Sequence, residues 1–310
     1  MALREREEVL ITGIGGFLGS HLVRRLIRSS RWRVVGLTRS GTVRLPKPHQ
    51  VIYGDLLKPK SWQSQLHGRK IHQAIHLAGG FGANWRVLLK ENVETTASFL
   101  EMAQEAGAKQ VILASSAAVY GSYESYASCE SDELHPDTPY GLCKRLAEEL
   151  CFHYTRSHRM RCWILRIANL YGPGATQGVV YQILTPLLKG KKVRIHGDGR
   201  QRRDFLYVDD CAEAFQHALE RPAQGCEVVN VGSGRAWSLL ELVEEMERVT
   251  GLTAQRMHDS AETHVTRVVW VQISRARHRL GWRPRTSLSE GLRTTASWIR
   301  SHGLRGETKR

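Results

Sequence analysis

The segment Thr12-Gly13-Ile14-Gly15-Gly16-Phe17-Leu18-Gly19 joins the apolar run Val9-Leu10-Ile11 to Leu18, Leu22, Leu26 and Ile27, which recur at helical spacing. The run reads as a buried strand and the spaced leucines as one face of a helix. A glycine-rich turn at such a junction lets backbone N–H groups approach a pyrophosphate at the helix N-terminus. Three glycines alone are a weak signal, because any strand-to-helix turn can carry them. Their place after a first strand and before an amphipathic helix predicts a dinucleotide site on Gly13, Gly16, Phe17, Leu18 and Gly19.

Working outward, short apolar runs alternate with helical patterns. Strands are expected at Trp32 to Leu37, Val51 to Tyr53, Ala74 to Leu77, Gln110 to Ala114 and Trp163 to Arg166. Asn92, Thr96, Phe99, Leu100 and Ala103 mark one helix, and Leu142, Leu146 and Leu150 another after Pro139. The alternation predicts a Rossmann-like, doubly wound parallel α/β sheet. Beyond Gly172-Pro173-Gly174 the rhythm loosens. Helices are expected at Tyr181 to Leu188, Val208 to Leu219 and Leu239 to Val249, with a short strand at Val193 to Ile195. Val228 to Val231 reads as a strand returning to the main sheet, and the rest as small irregular elements.

Composition narrows the class. At 310 residues, 41% hydrophobic and 24% charged, the chain can bury a large core and is not disordered. No apolar run approaches the roughly 20 residues of a membrane span. The start, Met1 to Glu8, is too acidic and polar for a targeting peptide, so a cytoplasmic protein is expected. Six cysteines without a C-x-x-C pair and fourteen scattered histidines suggest free thiols and no metal. Forty-five basic against 30 acidic residues give a net charge of +15. Nucleic-acid binding is one reading of that charge. The basic residues are spread along the chain and not clustered with aromatics, which favours a solvated surface around an anionic small-molecule site.

A site for NAD normally carries Asp or Glu at the end of the second strand, to hold the ribose 2′-hydroxyl. No acidic residue occurs between Glu8 and Asp55, and the strand ends Thr38-Arg39-Ser40. A guanidinium with two hydroxyls suits a 2′-phosphate, so NADP(H) is the preferred expectation and NAD the secondary one. Tyr140 and Lys144 stand four residues apart on one helix face. A phenol titrates near 10, too high for neutral acid–base work, and a nearby ammonium stabilises the phenolate. Tyr140 can then exchange a proton with a hydroxyl while hydride moves to or from the nicotinamide. Ser115-Ser116-Ala117-Ala118-Val119-Tyr120-Gly121 follows the fifth strand, where α/β sheets place ligands.

The spacing Gly13-x-x-Gly16-x-x-Gly19 with Tyr140-x-x-x-Lys144 resembles the short-chain dehydrogenase/reductase superfamily. Thr12-Gly13-x-x-Gly16-Phe17-Leu18-Gly19, Arg166 to Pro173 and Gly197 to Asp210 resemble its extended branch, which works largely on nucleotide sugars. The resemblance covers nearly the whole chain and implies a catalytic set of Ser116, Tyr140 and Lys144. It implies cofactor contacts at Asp55 and Leu56, at Leu77, Ala78 and Gly79 within His76-Leu77-Ala78-Gly79-Gly80, and at Asn92. For the substrate it implies Ser116, Asn169 and Arg203, with Arg267 a substitute where the family carries another phosphate-binding arginine. The lobes would be 1–168 with 204–234 returning, for the cofactor, and 169–203 with 235–310, for the sugar nucleotide. A homodimer through Asn92–Ala106 and Tyr140–Thr155 is also implied.

The family's 4,6-dehydratases carry acidic residues directly after the catalytic Ser or Thr, and its 3,5-epimerising reductases a Cys two residues on. Here Ala117 and Ala118 occupy those places. Two reactions survive. One is NADPH-dependent reduction of a 4-keto-6-deoxy-hexose nucleotide with Tyr140 as proton donor, the expectation favoured here. His76 to Gly82 is similar to the abequose-synthase type of CDP-sugar 4-reductase, and the family's epimerases mostly hold NAD through the carboxylate missing here. The other is a 4-epimerase with transient oxidation at C4. A non-enzymatic NADPH-sensing or RNA-binding protein is a third reading, disfavoured because Ser116, Tyr140 and Lys144 are all kept.

Overall fold

The computed structural model describes residues 6–39, 47–122, 126–259 and 268–303. Strands β1 (Glu7–Thr12), β2 (Trp32–Thr38), β3 (Gln50–Tyr53), β4 (Gln73–His76), β5 (Gln110–Ser116) and β6 (Arg161–Ile167) follow one another. They are succeeded by β7 (Asn169–Tyr171), β8 (Val193–His196), β9 (Arg202–Tyr207), β10 (Cys226–Val231), β11 (Ala236–Ser238), β12 (Arg256–Asp259) and β13 (Val268–Val269). The α-helices are α1 (Phe17–Ile27), α2 (Gln63–Leu66), α3 (Trp85–Leu88), α4 (Thr95–Glu105) and α5 (Pro139–Ser157). α6 (Val179–Leu188), α7 (Val208–Glu220), α8 (Leu239–Thr250) and α9 (Leu288–Trp298) complete the set.

Seven strands form one parallel sheet in the order β10-β6-β5-β4-β1-β2-β3. Alternate residues of each strand face opposite sides. Val9 and Ile11 enter one core with Leu22, Trp163 and Phe215, beneath α1 and α7. Leu10 enters the other, with Val35, Phe99, Val111 and Cys151, beneath α4 and α5. Truncating a fully buried ring such as Phe215 to Ala costs about 3–5 kcal/mol. The strand order reverses direction between β1 and β4, and ligands bind open α/β sheets at the strand ends beside such a reversal. Thr12 pairs with His76 there, and Leu77 N donates to Thr12 O at 3.3 Å.

A smaller sheet, β11-β9-β13 with β7 paired to β9, and the two-stranded pair β12-β8 lie outside the main sheet. They share a third core with α6, α8 and α9 that includes Tyr171, Leu184, Leu242 and Leu292. α8 begins with a capping box between Ser238 and Glu241, and Gly251 ends it in the left-handed conformation.

The main-sheet strands fall where the apolar runs put them, and β10 joins β6 as the return strand. Two expectations change. The last stretch is not merely irregular, since α9 packs its buried Leu292 and Ala296 into the third core. The helix read from Asn92 begins earlier, as α3, and passes through a π-helical turn at Leu89–Glu94 before α4. That wider turn has Asn92 at its centre, buried.

Candidate active site

The glycine turn is shaped by contacts no side chain could share. Gly13 has φ +73°, and a Cβ on it would lie 2.7 Å from Ala78 N. One on Gly19 would lie 2.9 Å from Ile14 Cα. Gly16 is the N-cap of α1 and supplies no side-chain cap, and no acidic residue stands in the first turn. The leading N–H groups of α1, on Phe17, Leu18 and Gly19, therefore face the reversal point without a capping carboxylate. A dinucleotide pyrophosphate fits this cradle. His21, one turn on, is buried and ties the helix down: Nδ1 lies 2.6 Å from Asp209 Oδ1 and Nε2 2.8 Å from Pro173 O.

At the end of β4, His76 Nδ1 meets Thr12 Oγ1 at 2.8 Å, and that hydroxyl also accepts from Ala78 N at 3.5 Å. Burial, aided by the Lys144 ammonium, pushes the His76 imidazole down to about 3, so the ring is neutral. Leu77 and Ala78 are half-buried beside the turn. Gly79 is flanked by Asn92 and Lys144: a Cβ there would be 2.9 Å from Asn92 Oδ1 and 3.2 Å from Lys144 Nζ. Asn92 Nδ2 donates to Gly80 O and Leu88 O at 3.1 and 3.0 Å, while its buried Oδ1 has no partner among the described residues. Asp55 accepts from Leu57 N at 3.1 Å, and Leu56 turns into the core.

Ser116 ends β5 and caps the turn that follows, its Oγ accepting from Ala118 N at 3.2 Å. Tyr140 and Lys144 stand one turn apart on α5, whose start is fixed by Thr138 Oγ1 accepting from Gly141 N. The Ser116 hydroxyl lies close enough to the Tyr140 phenol to favour its ionised form. Lys144 Nζ donates to Ala114 O at 3.2 Å and lies 5.7 Å from the Tyr140 ring centroid. Burial raises the Tyr140 phenol above its ordinary value, and the neighbouring Ser116 hydroxyl opposes the rise. Burial also lowers Lys144 to about 8, against the pull of Glu148. The carboxylate of Glu148, one turn further along α5, is locked to Arg166 through Nε at 3.1 Å and Nη2 at 2.7 Å, and Ser115 Oγ donates to it as well. Arg166 Nη1 reaches Tyr120 Oη at 3.0 Å, and that hydroxyl donates to Asn230 Oδ1 at 2.7 Å. The strand end bearing Ser116 and the helix bearing Tyr140 are thus joined from beneath.

On the substrate side, Asn169 Nδ2 donates to Asp204 O at 3.1 Å. Arg203 is half-buried on β9 with no ion pair among the described residues, and burial lowers its guanidinium. Asp204 is buried and accepts from Ser233 N, Ser233 Oγ and Gly234 N at 2.6–3.1 Å. Burial pushes its carboxyl up to about 6, and these donors oppose the rise. Ser40 and Arg267 lie outside the described residues.

The pattern that defines the NAD dependent epimerase/dehydratase family matches residues 9–232. The chain belongs to that family. It is an NAD(P)-dependent enzyme of the extended short-chain dehydrogenase/reductase type. MoeE5, solved with UDP-glucuronic acid and NAD, is similar at 32% identity and a TM-score of 0.87, covering 95% of this chain and 99% of that one. The UDP-glucuronic acid 4-epimerase of Bacillus cereus, solved with UDP-glucuronic acid and NAD, is similar at 29% identity, a TM-score of 0.83 and the same two coverages. The UDP-glucose 4-epimerase of Mycolicibacterium smegmatis is 32% identical over 94% of this chain and 98% of its own.

These likenesses correct two expectations. MoeE5 and the Bacillus cereus enzyme were solved with NAD, not NADP(H), and the Bacillus cereus and Mycolicibacterium smegmatis relatives are 4-epimerases, not NADPH-dependent reductases of 4-keto-6-deoxy sugars. The fold supplies the physical reason. Arg39 is exposed at the end of β2, and its Nη2 lies 3.6 Å from Glu91 Oε1 on the π-helical turn. An acidic group from another segment thus stands beside Arg39, and its charge opposes a 2′-phosphate there. Among the described residues no helix is long and apolar enough to cross a membrane.

Glu91, Glu148 and His21 escape a linear reading, as does Phe81, whose ring stacks on Tyr140. Only Glu148 carries a signal, standing four residues after Lys144 as Lys144 does after Tyr140.

Proposed function

We propose that the protein is an NAD-dependent nucleotide-sugar 4-epimerase. The observation that carries this is the convergence of Ser116 and a buried Lys144 on Tyr140, with Lys144 Nζ 5.7 Å from the phenol ring and Ala117 and Ala118 adding no second acid or base. An epimerisation that removes and returns one hydride at one carbon needs a single group to take and return the proton, whereas dehydration needs more.

NAD, when bound, supplies an acceptor that takes hydride from C4 and gives it back. Gly13, Gly16, Phe17, Leu18 and Gly19 would hold its pyrophosphate, and Thr38, Asp55, Leu56, Leu77, Ala78, Gly79 and Asn92 would line its course. Tyr140 as phenolate takes the C4 hydroxyl proton while Ser116 hydrogen-bonds the same oxygen. The Lys144 ammonium offsets the burial that otherwise keeps the phenol protonated. Arg203 and Asn169 anchor the diphosphate, so the 4-keto hexose can turn while its nucleotide stays fixed. Tyr140 then returns the proton as hydride adds to the other face.

Residues 1–168 with 204–234 would form the cofactor lobe, and 169–203 with 235–310 the lobe over the sugar nucleotide. A cytoplasmic homodimer that binds no nucleic acid goes with this reading. Exposed Trp85, Val87, Leu89 and Leu146 on the helical stretches at 85–94 and on α5 support the dimer.

The test is to incubate the purified protein with UDP-glucose, and separately with UDP-glucuronic acid, and to follow the C4 epimer by proton NMR. Formation of the epimer without added reductant is expected. Failure with both, alongside NADPH consumption on a 4-keto sugar nucleotide, would overturn the reading.

A further inference from the structure

Phe81 is the most exposed large apolar side chain among the described residues, at 74%. Its ring nevertheless stacks on Tyr140, with centroids 4.5 Å apart and planes 27° apart. The backbone before it is pinned. Gly79 is wedged between Asn92 and Lys144, a Cβ on Gly80 would overlap the Glu91 carboxylate, and Asn92 Nδ2 holds Gly80 O. After it, Gly82 has φ +133°, and nothing stands within 4 Å of where a Cβ would be. The loop presents one bare aromatic ring against the candidate proton-transfer phenol, with its outer face uncovered.

We propose that Phe81 is a specificity residue, the platform against which the hexose ring lies while its 4-keto form turns over. The proposal rests on the epimerase reading above. The enzyme must hold C4 near Tyr140 in two orientations of one sugar. Hydrogen bonds to ring hydroxyls are directional and would favour one of them. An aromatic face gives contact area without direction, through dispersion and C–H/π contacts that either face of a pyranose can use. The ring therefore retains the ketone without fixing it, and it covers the phenol from water during the turn.

The experiment compares wild type, Phe81→Ala, Phe81→Leu and Phe81→Tyr as NAD holoenzymes, with whichever of UDP-glucose and UDP-glucuronic acid the wild type epimerises. It reads kcat, KM, the 4-keto sugar nucleotide released per turnover by mass spectrometry, and the reduced nicotinamide left on the protein by absorbance. Phe81→Ala should raise KM about tenfold, in line with the worth of one aromatic contact. It should also release more ketone and leave more cofactor reduced. Phe81→Tyr should restore wild-type retention, and Phe81→Leu should fall between. Unchanged KM and ketone release in a folded Phe81→Ala variant would overturn the proposal, as would a loss of kcat with no added release. If the wild type neither epimerises these sugars nor reduces its cofactor with them, the epimerase reading itself fails and the platform falls with it.

Discussion

Arg39 and Glu91 meet across the cofactor edge of the sheet, with 3.6 Å between guanidinium Nη2 and carboxylate Oε1. The pair is exposed enough to add little stability. Its effect is on the charge presented at the end of β2, where a 2′-phosphate would have to approach a carboxylate as well as a guanidinium.

Cofactor choice follows from that pair. Protein purified without added cofactor should release NAD, identified by mass. Glu91→Gln should improve NADP binding relative to NAD by about tenfold, ~1.4 kcal/mol. Calorimetric titration of both cofactors checks this, and an unchanged preference would remove Glu91 from the account.

Tyr140→Phe should lower kcat by roughly 10²- to 10⁴-fold while leaving NAD affinity and melting temperature close to wild type. Burial holds the phenol protonated. A difference titration should therefore show it ionising at lower pH once oxidised cofactor is bound. Retention of full activity by Tyr140→Phe would disprove its role in proton transfer.

Lys144 trades stability for chemistry. Burial lowers it from the ordinary 10.5 to about 8, so between those values the unfolded chain binds more protons than the folded one. Stability gains from this group as pH rises through that window, and near pH 7 the buried ammonium costs ~3 kcal/mol. Lys144→Met should accordingly be the more stable protein at pH 7 though inactive. Its advantage should shrink by pH 10, read from urea midpoints at both values. A variant less stable at pH 7 would contradict this.

The Glu148–Arg166 pair is buried on both sides. Removing one partner leaves the other charged without compensation, so Glu148→Ala should cost about 3–5 kcal/mol. The double variant Glu148→Leu/Arg166→Met should cost less than the sum of the two single changes. Denaturant midpoints decide, and strict additivity would argue against coupling.

What could be read from the chain alone was local. The turn from Thr12 to Gly19 and the Tyr140/Lys144 face lie within single elements, so periodicity and spacing are enough to place them. α9 also carries a start signal in Ser287-x-x-Glu290, where Ser287 Oγ accepts from Glu290 N. Its apolar stripe of Leu288, Leu292 and Ala296 is diluted by Ser, Thr and Arg, which hides the period. Arg39–Glu91, Phe81–Tyr140 and His21–Asp209 join segments far apart in the chain, and no spacing rule links them. The linear rule for the cofactor asks for a carboxylate on β2 and cannot see that folding sets Glu91, from the turn at Leu89–Glu94, beside Arg39.

The return of β10 to the main sheet constrains how the protein is made. Until residues 226–231 have left the ribosome, β6 has only β5 beside it, and Cys162 to Leu165 form an open, apolar border on the nascent sheet. The segments from β7 to α7 must all emerge while that border waits for its partner. A product truncated before residue 226 would keep the glycine turn and Tyr140 yet still carry that unsealed edge, ready to pair with another unfinished chain.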